Sequence, residues 1–425
     1  MKNIVLSFGF IFASMVFAEL PSVSVGELVQ DAGSKRVTIP YALTSGDACI
    51  VTIDVKTNGP AGYASIDGAH LSTLWGDVNK KIPSGAGDKV VYWNPASSGF
   101  ECELSSLKVE INVWPTNNPP DYMVLDLSGR KEHRFFPDAG QIPLGVTNDI
   151  YKTDYLVMRK IPAAGITWRM GAGVNESPLS SDDTLHLVTL PEDYYMAVYE
   201  MTQGQMRNIG LSSVITGFSS FKNVADSDTR PVEGVSWLNI RNNDSWPSKG
   251  HELGQHTYFK YIKDKVGDMQ FDLPTESQWE YACRAGTKTK YNNGDNYGID
   301  AVAWYNGNCT NKATQTAETH PVGMKEANPW GLYDMIGNVR EWCLDYYKQD
   351  YGMSDTDYDK VNYSGPTACD NGLNNNENNA RVLRGGSYKN NFLDAKSAAR
   401  SWGPVYNTKS SDIGFRVCCP VVYPL

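Results

Sequence analysis

A chain of 425 residues is long enough for two or three domains, and 41% hydrophobic with 20% charged residues suits packed globular cores. The net charge of −10 argues against nucleic acid as a partner, because phosphate binding needs a basic surface. Tyr and Trp (24 and 11) far outnumber Phe (13), and their polar handles suit binding surfaces and rings packed under long loops.

The N-terminus carries Lys2, an apolar run over residues 4–17 and the small-x-small site Val16-Phe17-Ala18. The run is too short to span a bilayer comfortably. The pattern predicts a signal peptide over 1–18, cleavage after Ala18, and a secreted or periplasmic protein that does not span a membrane. In such a compartment cysteines default to disulfides. Cys49 and Cys102 could pair within the N-terminal segment. Cys283, Cys309, Cys343, Cys369, Cys418 and Cys419 have no connectivity that spacing assigns. Adjacent Cys418 and Cys419 would face opposite sides of a strand.

Residues 19–115 read as an all-β sandwich. Strand-like runs at 37–43, 49–55, 89–93 and 107–113 are separated by Gly, Pro, Ser and Asn clusters. Residues 116–154 read as a linker, stiffened by Pro119 and Pro120, followed by bridging strands around residues 122–127. Residues 155–425 are rich in Gly, Asn, Trp and Tyr and predict an α+β domain with little regular structure. One helix start is explicit: Thr275 as N-cap with Gln278 three residues on, a capping box, and Glu276 in the first turn. Trp279 and Cys283, four apart, share the face that should enter the core.

A series of short motifs then occurs in order: Ile161-Pro162-Ala163-Ala164-Gly165, Tyr199-Glu200-Met201-Thr202, Arg230-Pro231-Val232, and Leu273-Pro274-Thr275-Glu276. It continues with Gly331-Leu332-Tyr333-Asp334-Met335-Ile336-Gly337-Asn338-Val339-Arg340-Glu341-Trp342, Arg384-Gly385-Gly386-Ser387-Tyr388 and Ile413-Gly414-Phe415-Arg416. Together they resemble the formylglycine-generating enzyme, or sulfatase-modifying factor, family over about residues 155–420. Residues 76–78 and 85–93 resemble small immunoglobulin-like accessory domains of secreted bacterial proteins.

The resemblance implies a C-type-lectin-like fold for residues 155–425. It also implies a structural Ca²⁺ held by side-chain oxygens of Asp334 and Glu341 and main-chain oxygens of Gly337 and Val339, the hard donors that Ca²⁺ prefers. Asp334 stands where the family has Asn. The other reading of these residues is a turn whose two carboxylates accept from backbone amides. The family's oxidase chemistry needs two Cu(I)-binding cysteines, two and seven residues beyond the aromatic of the Gly-Gly-Ser-aromatic motif. Those positions here are Asn390 and Ala395, so neither copper nor catalytic residues are expected. Arg340 replaces a family Trp. A ligand groove would draw on Arg340, Ser387, Tyr388 and Trp402.

These readings predict an exported family member without the catalytic cysteine pair. It would act as a binding or scaffolding module for an extracellular or periplasmic glycan, peptide or protein. The alternative is an active formylglycine-generating oxidoreductase with a different thiol arrangement. His251 and His256, five apart, do not share a helix face well, and no hydrolase or nucleotide-binding motif occurs.

Overall fold

A computed structural model describes residues 21–173, 176, 184–241, 251–267, 269–348, 380–404 and 409–421. The predicted signal peptide and Cys369 lie outside the described residues. Alternation of apolar and polar residues builds the N-terminal strands: β1 (Ser22–Val25), β2 (Val29–Gln30), β3 (Val37–Ser45), β4 (Cys49–Gly59) and β5 (Gly62–Ser65), then β6 (Trp75–Gly76), β7 (Lys80–Ile82), β8 (Gly85–Trp93) and β9 (Leu107–Pro115). In β3 the residues Val37, Ile39, Tyr41 and Leu43 are buried, while the intervening ones are partly or fully exposed. One sheet runs β1-β3-β8-β6, with β2 on β3; in the other, β4 pairs with β5, β7 and β9. Val37, Ile39, Val51, Ile53, Val55, Val91 and Trp93 from both sheets share one apolar cluster. All four strand-like runs of the sequence are strands.

The second sheet also has an outward apolar pair. Ile50 and Trp114 are cross-strand partners, and both pack on the large core formed by downstream residues. The connection is equally fixed. Pro119 and Pro120 are buried, and their carbonyls accept from Lys160 Nζ and Tyr195 Oη, each at 2.5 Å.

Downstream strands are β10 (Tyr122–Asp126), β11 (His133–Phe136), β12 (Tyr155–Ile161), β13 (Ile166–Met170), β14 (His186–Leu190) and β15 (Tyr194–Ala197). After them come β16 (Ala303–Trp304), β17 (Ile336–Gly337), β18 (Arg340–Tyr346), β19 (Ala380–Arg384), β20 (Arg400–Pro404), β21 (Ile413–Gly414) and β22 (Cys418–Pro420). Five form a sheet in the order β11-β10-β12-β15-β22; four form another, β20-β19-β18-β21. The segment read as a bridge thus supplies two strands, because β10 pairs along β12 from Tyr122–Arg159 to Asp126–Tyr155. Helices are short: α1 (Gln203–Asn208), α2 (Ser212–Phe218), α3 (Trp237–Arg241), α4 (Tyr258–Val266), α5 (Glu276–Arg284) and α6 (Ile299–Val302). The architecture is mixed α+β. Among the described residues no helix is long and apolar enough to cross a membrane.

Helix α5 starts as its sequence dictates. Gln278 N donates to Thr275 Oγ1 at 3.2 Å, and Thr275 N donates to Gln278 Oε1 at 2.9 Å. Trp279 and Cys283 are fully buried. The expectation of disulfides is not met among the described residues, where seven cysteines are free. Cys283, Cys343 and Cys418 share one apolar cluster as free thiols. Strand alternation sends Cys418 into the cluster with Trp279 and Cys283, and Cys419 into the larger core.

Glu276 N, in the first turn of α5, donates to Asp345 Oδ2 at 2.5 Å. Burial, then the charge of Glu276, push the Asp345 carboxyl up to about 7. A folded pKa above the unfolded value of roughly 3.9 means that stability is fullest in acid. It falls by up to about 1.4 kcal/mol per pH unit as pH rises from about 4 to 7. Asp345→Asn keeps an acceptor for Glu276 N and loses the proton. Its stability, measured by urea unfolding across that range, should fall less steeply than that of the native protein. Parallel curves would exclude Asp345 as the titrating group.

Candidate functional site

The segment from Gly331 to Glu341 makes a tight turn before β18, with Asp334, Gly337 and Asn338 all at positive φ (53°, 84° and 52°). Gly337 is required there, since a Cβ would lie 2.4 Å from Trp304 O. Asn338 fixes the turn: its Nδ2 donates to Glu200 Oε2 at 2.7 Å and its Oδ1 accepts from His320 N at 3.0 Å. Val339 N donates to Glu200 Oε1 at 3.0 Å.

Three buried carboxylates gather at this turn. Asp334 Oδ2 accepts from Gly323 N at 2.6 Å, while Asp334 Oδ1 is buried without a partner. Glu341 accepts from Trp279 Nε1 at 2.7 Å and from Arg416 Nη2 at 2.8 Å. Arg416 also donates to the carbonyls of Ala197, Val198 and Tyr333. Burial, then the charges of Asp334 and Glu341, hold the Glu200 carboxyl well above its usual range. Burial pushes Asp334 up to about 6. Three acids against one guanidinium leave an excess of buried negative charge, which a cation or protons must neutralise. Asp334 Oδ1 is the unpartnered carboxylate oxygen of this set, whereas both Glu341 oxygens already accept from Arg416 and Trp279, so a hard divalent cation, which takes oxygen donors, would have to compete with Arg416 for Glu341. No three His, Cys, Asp or Glu side chains converge as a metal site among the described residues. The expected set requires only two side chains, the other donors being carbonyls.

The Gly385-Gly386-Ser387-Tyr388 turn lies against this loop. Tyr388 N donates to Asn338 O at 2.9 Å, and Gly337 N to Gly385 O at 2.9 Å. A Cβ on Gly386 would meet Asp394 O at 2.6 Å. Arg340 and Ser387 converge on one acid: Arg340 Nη2 and Ser387 Oγ donate to Asp412 Oδ2 at 2.9 and 3.1 Å. Arg340 Nε is buried without a partner. Ser387 is fully buried, and its Oγ also lies 2.7 Å from Asn390 Oδ1, so Asn390 and Asp412 compete for its single hydroxyl proton. Tyr388 is buried too, with its ring edge-on to Phe221 and its hydroxyl 3.3 Å from Ser411 Oγ. Trp402 is exposed on β20, with its ring centroid 6.2 Å from that of Tyr347. The structure therefore joins Arg340, Ser387 and Tyr388 around Asp412 and Ser411, with their polar atoms largely committed internally, while Trp402 packs against a different neighbour.

Sequence reasoning passed over several residues here. Phe392 and Leu393 are exposed in the stretch where the cysteine pair was sought, and their adjacent apolar side chains between Asn391 and Asp394 were the available signal. Cys309, fully buried, places its Sγ 3.0 Å from Tyr388 O. Glu200 and Arg416 lie inside motifs that were read but not paired.

Fold and site define an α+β domain organised around buried ion pairs and glycine turns rather than long helices. A family model described as the sulfatase-modifying factor enzyme 1-like domain matches residues 161–420, and the chain belongs to this family. The formylglycine-generating enzyme of Mus musculus is 29% identical over 199 residues, covering 44% of this chain and 49% of that protein. That of Mycobacterium tuberculosis is 36% identical over 122 residues, covering 26% and 40%. A Paenibacillus barcinonensis protein named chaperone protein LppX is 30% identical over 191 residues, covering 38% and 64%. The chain spans less than two-thirds of the length of each of these relatives. Among solved structures, Treponema denticola variable protein 1 aligns over 63% of this chain and 95% of its own, with 25% identity and a TM-score of 0.46.

Proposed function

We propose that this protein is an exported, catalytically silent member of its family: a binding or scaffolding module on a C-type-lectin-like domain, preceded by an immunoglobulin-like β-sandwich. One observation carries the reading. Asn390 and Ala395 occupy the two positions where the family resemblance requires copper-binding thiolates. Asn390 is hydrogen-bonded to Ser387, and Ala395 is fully buried beneath Gly386. An amide and a methyl group do not fit Cu(I), which needs soft sulfur donors. The ligand would meet the surface above the Arg340, Ser387 and Tyr388 cluster, where Phe392 and Leu393 are exposed, with Trp402 offering an exposed ring apart from it on β20. Glycans, peptides and proteins of the extracellular or periplasmic space are the candidate ligands.

The test is incubation with Cu(I), oxygen, a reductant and a Cys-x-Pro-x-Arg peptide, followed by mass spectrometry. No aldehyde product above the metal-free control is expected. Its appearance would support the alternative of an active oxidoreductase. The thiol to suspect would be Cys309, the one beside Tyr388, and Cys309→Ser would then remove the product.

A further inference from the structure

A groove of about 590 Å³ opens between the N-terminal β-strands and the β10–β11 hairpin. It shares no lining residue with the Asp412 cluster, and the inference from it does not rest on the function proposed above. Its walls meet where Phe135 N donates to Asn79 O at 2.9 Å. The volume lies within the range of small-molecule sites, roughly 300–1,000 Å³.

Three features of the lining point to one chemistry. The first is a ring platform. Trp75 is 45% exposed, and one part of its ring system is backed by Tyr92, with centroids 5.3 Å apart and planes 29° apart. Gly76 permits this placement, because at φ 108° a Cβ would lie 2.4 Å from Val90 O. An exposed, backed indole offers a rigid face to a sugar ring. The second is charge. Lys80, Lys81, Lys131 and Arg134 line the groove against Glu132, in a chain whose net charge is −10. Lys80 pairs with Asp77 at 3.2 Å and Arg134 with Glu132 at 3.4 Å, both in exposed geometry where such pairs are weak and exchangeable. The third is an unmet acceptor. Asn79 also lines the groove, and its side-chain oxygen is buried with no hydrogen-bond partner. A hydroxyl donor in the groove would satisfy it once the half-buried side chain turns outward, since the oxygen is closed to solvent as it stands.

We propose that this groove binds an acidic oligosaccharide, with a sugar ring stacked on Trp75, a hydroxyl donated to Asn79, and carboxylate or sulfate groups held by the lysines and Arg134. Carboxylate and sulfate sugars share this recognition chemistry, so both are tested.

The full mature chain would be titrated calorimetrically with a galacturonate hexamer, a heparin hexasaccharide, neutral cellohexaose and linear polyphosphate. Saturable binding of at least one acidic sugar is expected, weakening as NaCl is raised, with the neutral sugar at least about tenfold weaker. Trp75→Ala should weaken acidic-sugar binding by about tenfold with an unchanged melting temperature, and Trp75→Phe should retain most of it. Joint Lys80→Ala and Lys131→Ala replacement should weaken the binding and reduce its salt dependence, Lys81 and Arg134 remaining in the groove. Absence of binding to both acidic sugars would overturn the proposal. So would polyphosphate binding as tightly as the sugars with no effect of Trp75→Ala, since the patch would then be a charge site alone.

Discussion

Glu280→Ala should destabilise the protein by about 3–5 kcal/mol, the usual cost of breaking a buried ion pair by removing one partner. Glu280 is fully buried in α5. It accepts from Gly171 N at 2.9 Å and Arg284 Nε at 2.8 Å, and it pairs with Arg384 Nη2. Arg384 continues to the carbonyls of Ala398 and Ala399, both at 2.9 Å. One carboxylate thus joins the end of β13, α5 and β19. Its loss shifts Arg384 toward Glu276, 3.7 Å away, and Arg284 toward Glu176, 3.1 Å away. Against a total stability of roughly 5–15 kcal/mol, the loss is large. Burial alone would raise the Glu280 pKa, but Arg384 and Arg284 outweigh it and hold the carboxyl below its usual range. A depressed folded pKa contributes stability above the unfolded value, about 4.3, which is lost as pH falls through the folded value. The variant should therefore lose part of the native acid sensitivity as well. Urea unfolding at neutral and acid pH measures both effects. A loss below about 1 kcal/mol would show that the two arginines find other partners.

The legible parts of this fold were those encoded over a few residues. The alternation in residues 37–43 gave β3 its buried face, and Thr275 with Gln278 fixed the start of α5 through bonds spanning three positions. Opposite fates for Cys418 and Cys419 followed from the strand period alone. What escaped depends on partners far apart in the chain. Glu280 and Arg384 are separated by 104 residues, and Glu341 and Arg416 by 75. No local spacing pairs them. Ile50 read as one more strand residue, yet with Trp114 it docks the N-terminal strands on the downstream core. Ser387 and Tyr388 belong to a motif whose polar side chains suggest a surface, but two glycines at positive φ turn both inward.

Calcium is expected to stabilise the protein through the Asp334 turn, and a chelator to lower its melting temperature. The excess of carboxylates over guanidinium is the driving term. Glu200, Asp334 and Glu341 are buried within one electrostatic neighbourhood, and Arg416 supplies the compensating guanidinium. Without a metal, protons must make up the difference, as the elevation of Asp334 to about 6 indicates. Asp334 and Glu341, with the main-chain oxygens of Gly337 and Val339, would hold the ion. Its role would be to neutralise charge and to fix the turn against which the Gly385–Gly386 segment packs. Because ligands bind a metal deprotonated, calcium competes with protons, and the stabilisation should grow as pH rises through about 6. At a calcium concentration a hundred times its dissociation constant the gain is about 2.7 kcal/mol. Asp334→Ala should abolish the calcium response, while Asp334→Asn, which keeps an oxygen but not the charge, should weaken it. The proton alternative makes its forecast for the apo protein. Asp334→Asn would then stabilise it above pH 6 by removing a carboxylate that must otherwise ionise in the core. Identical melting curves in calcium and chelator, together with that gain, would establish that protons rather than a metal balance the site.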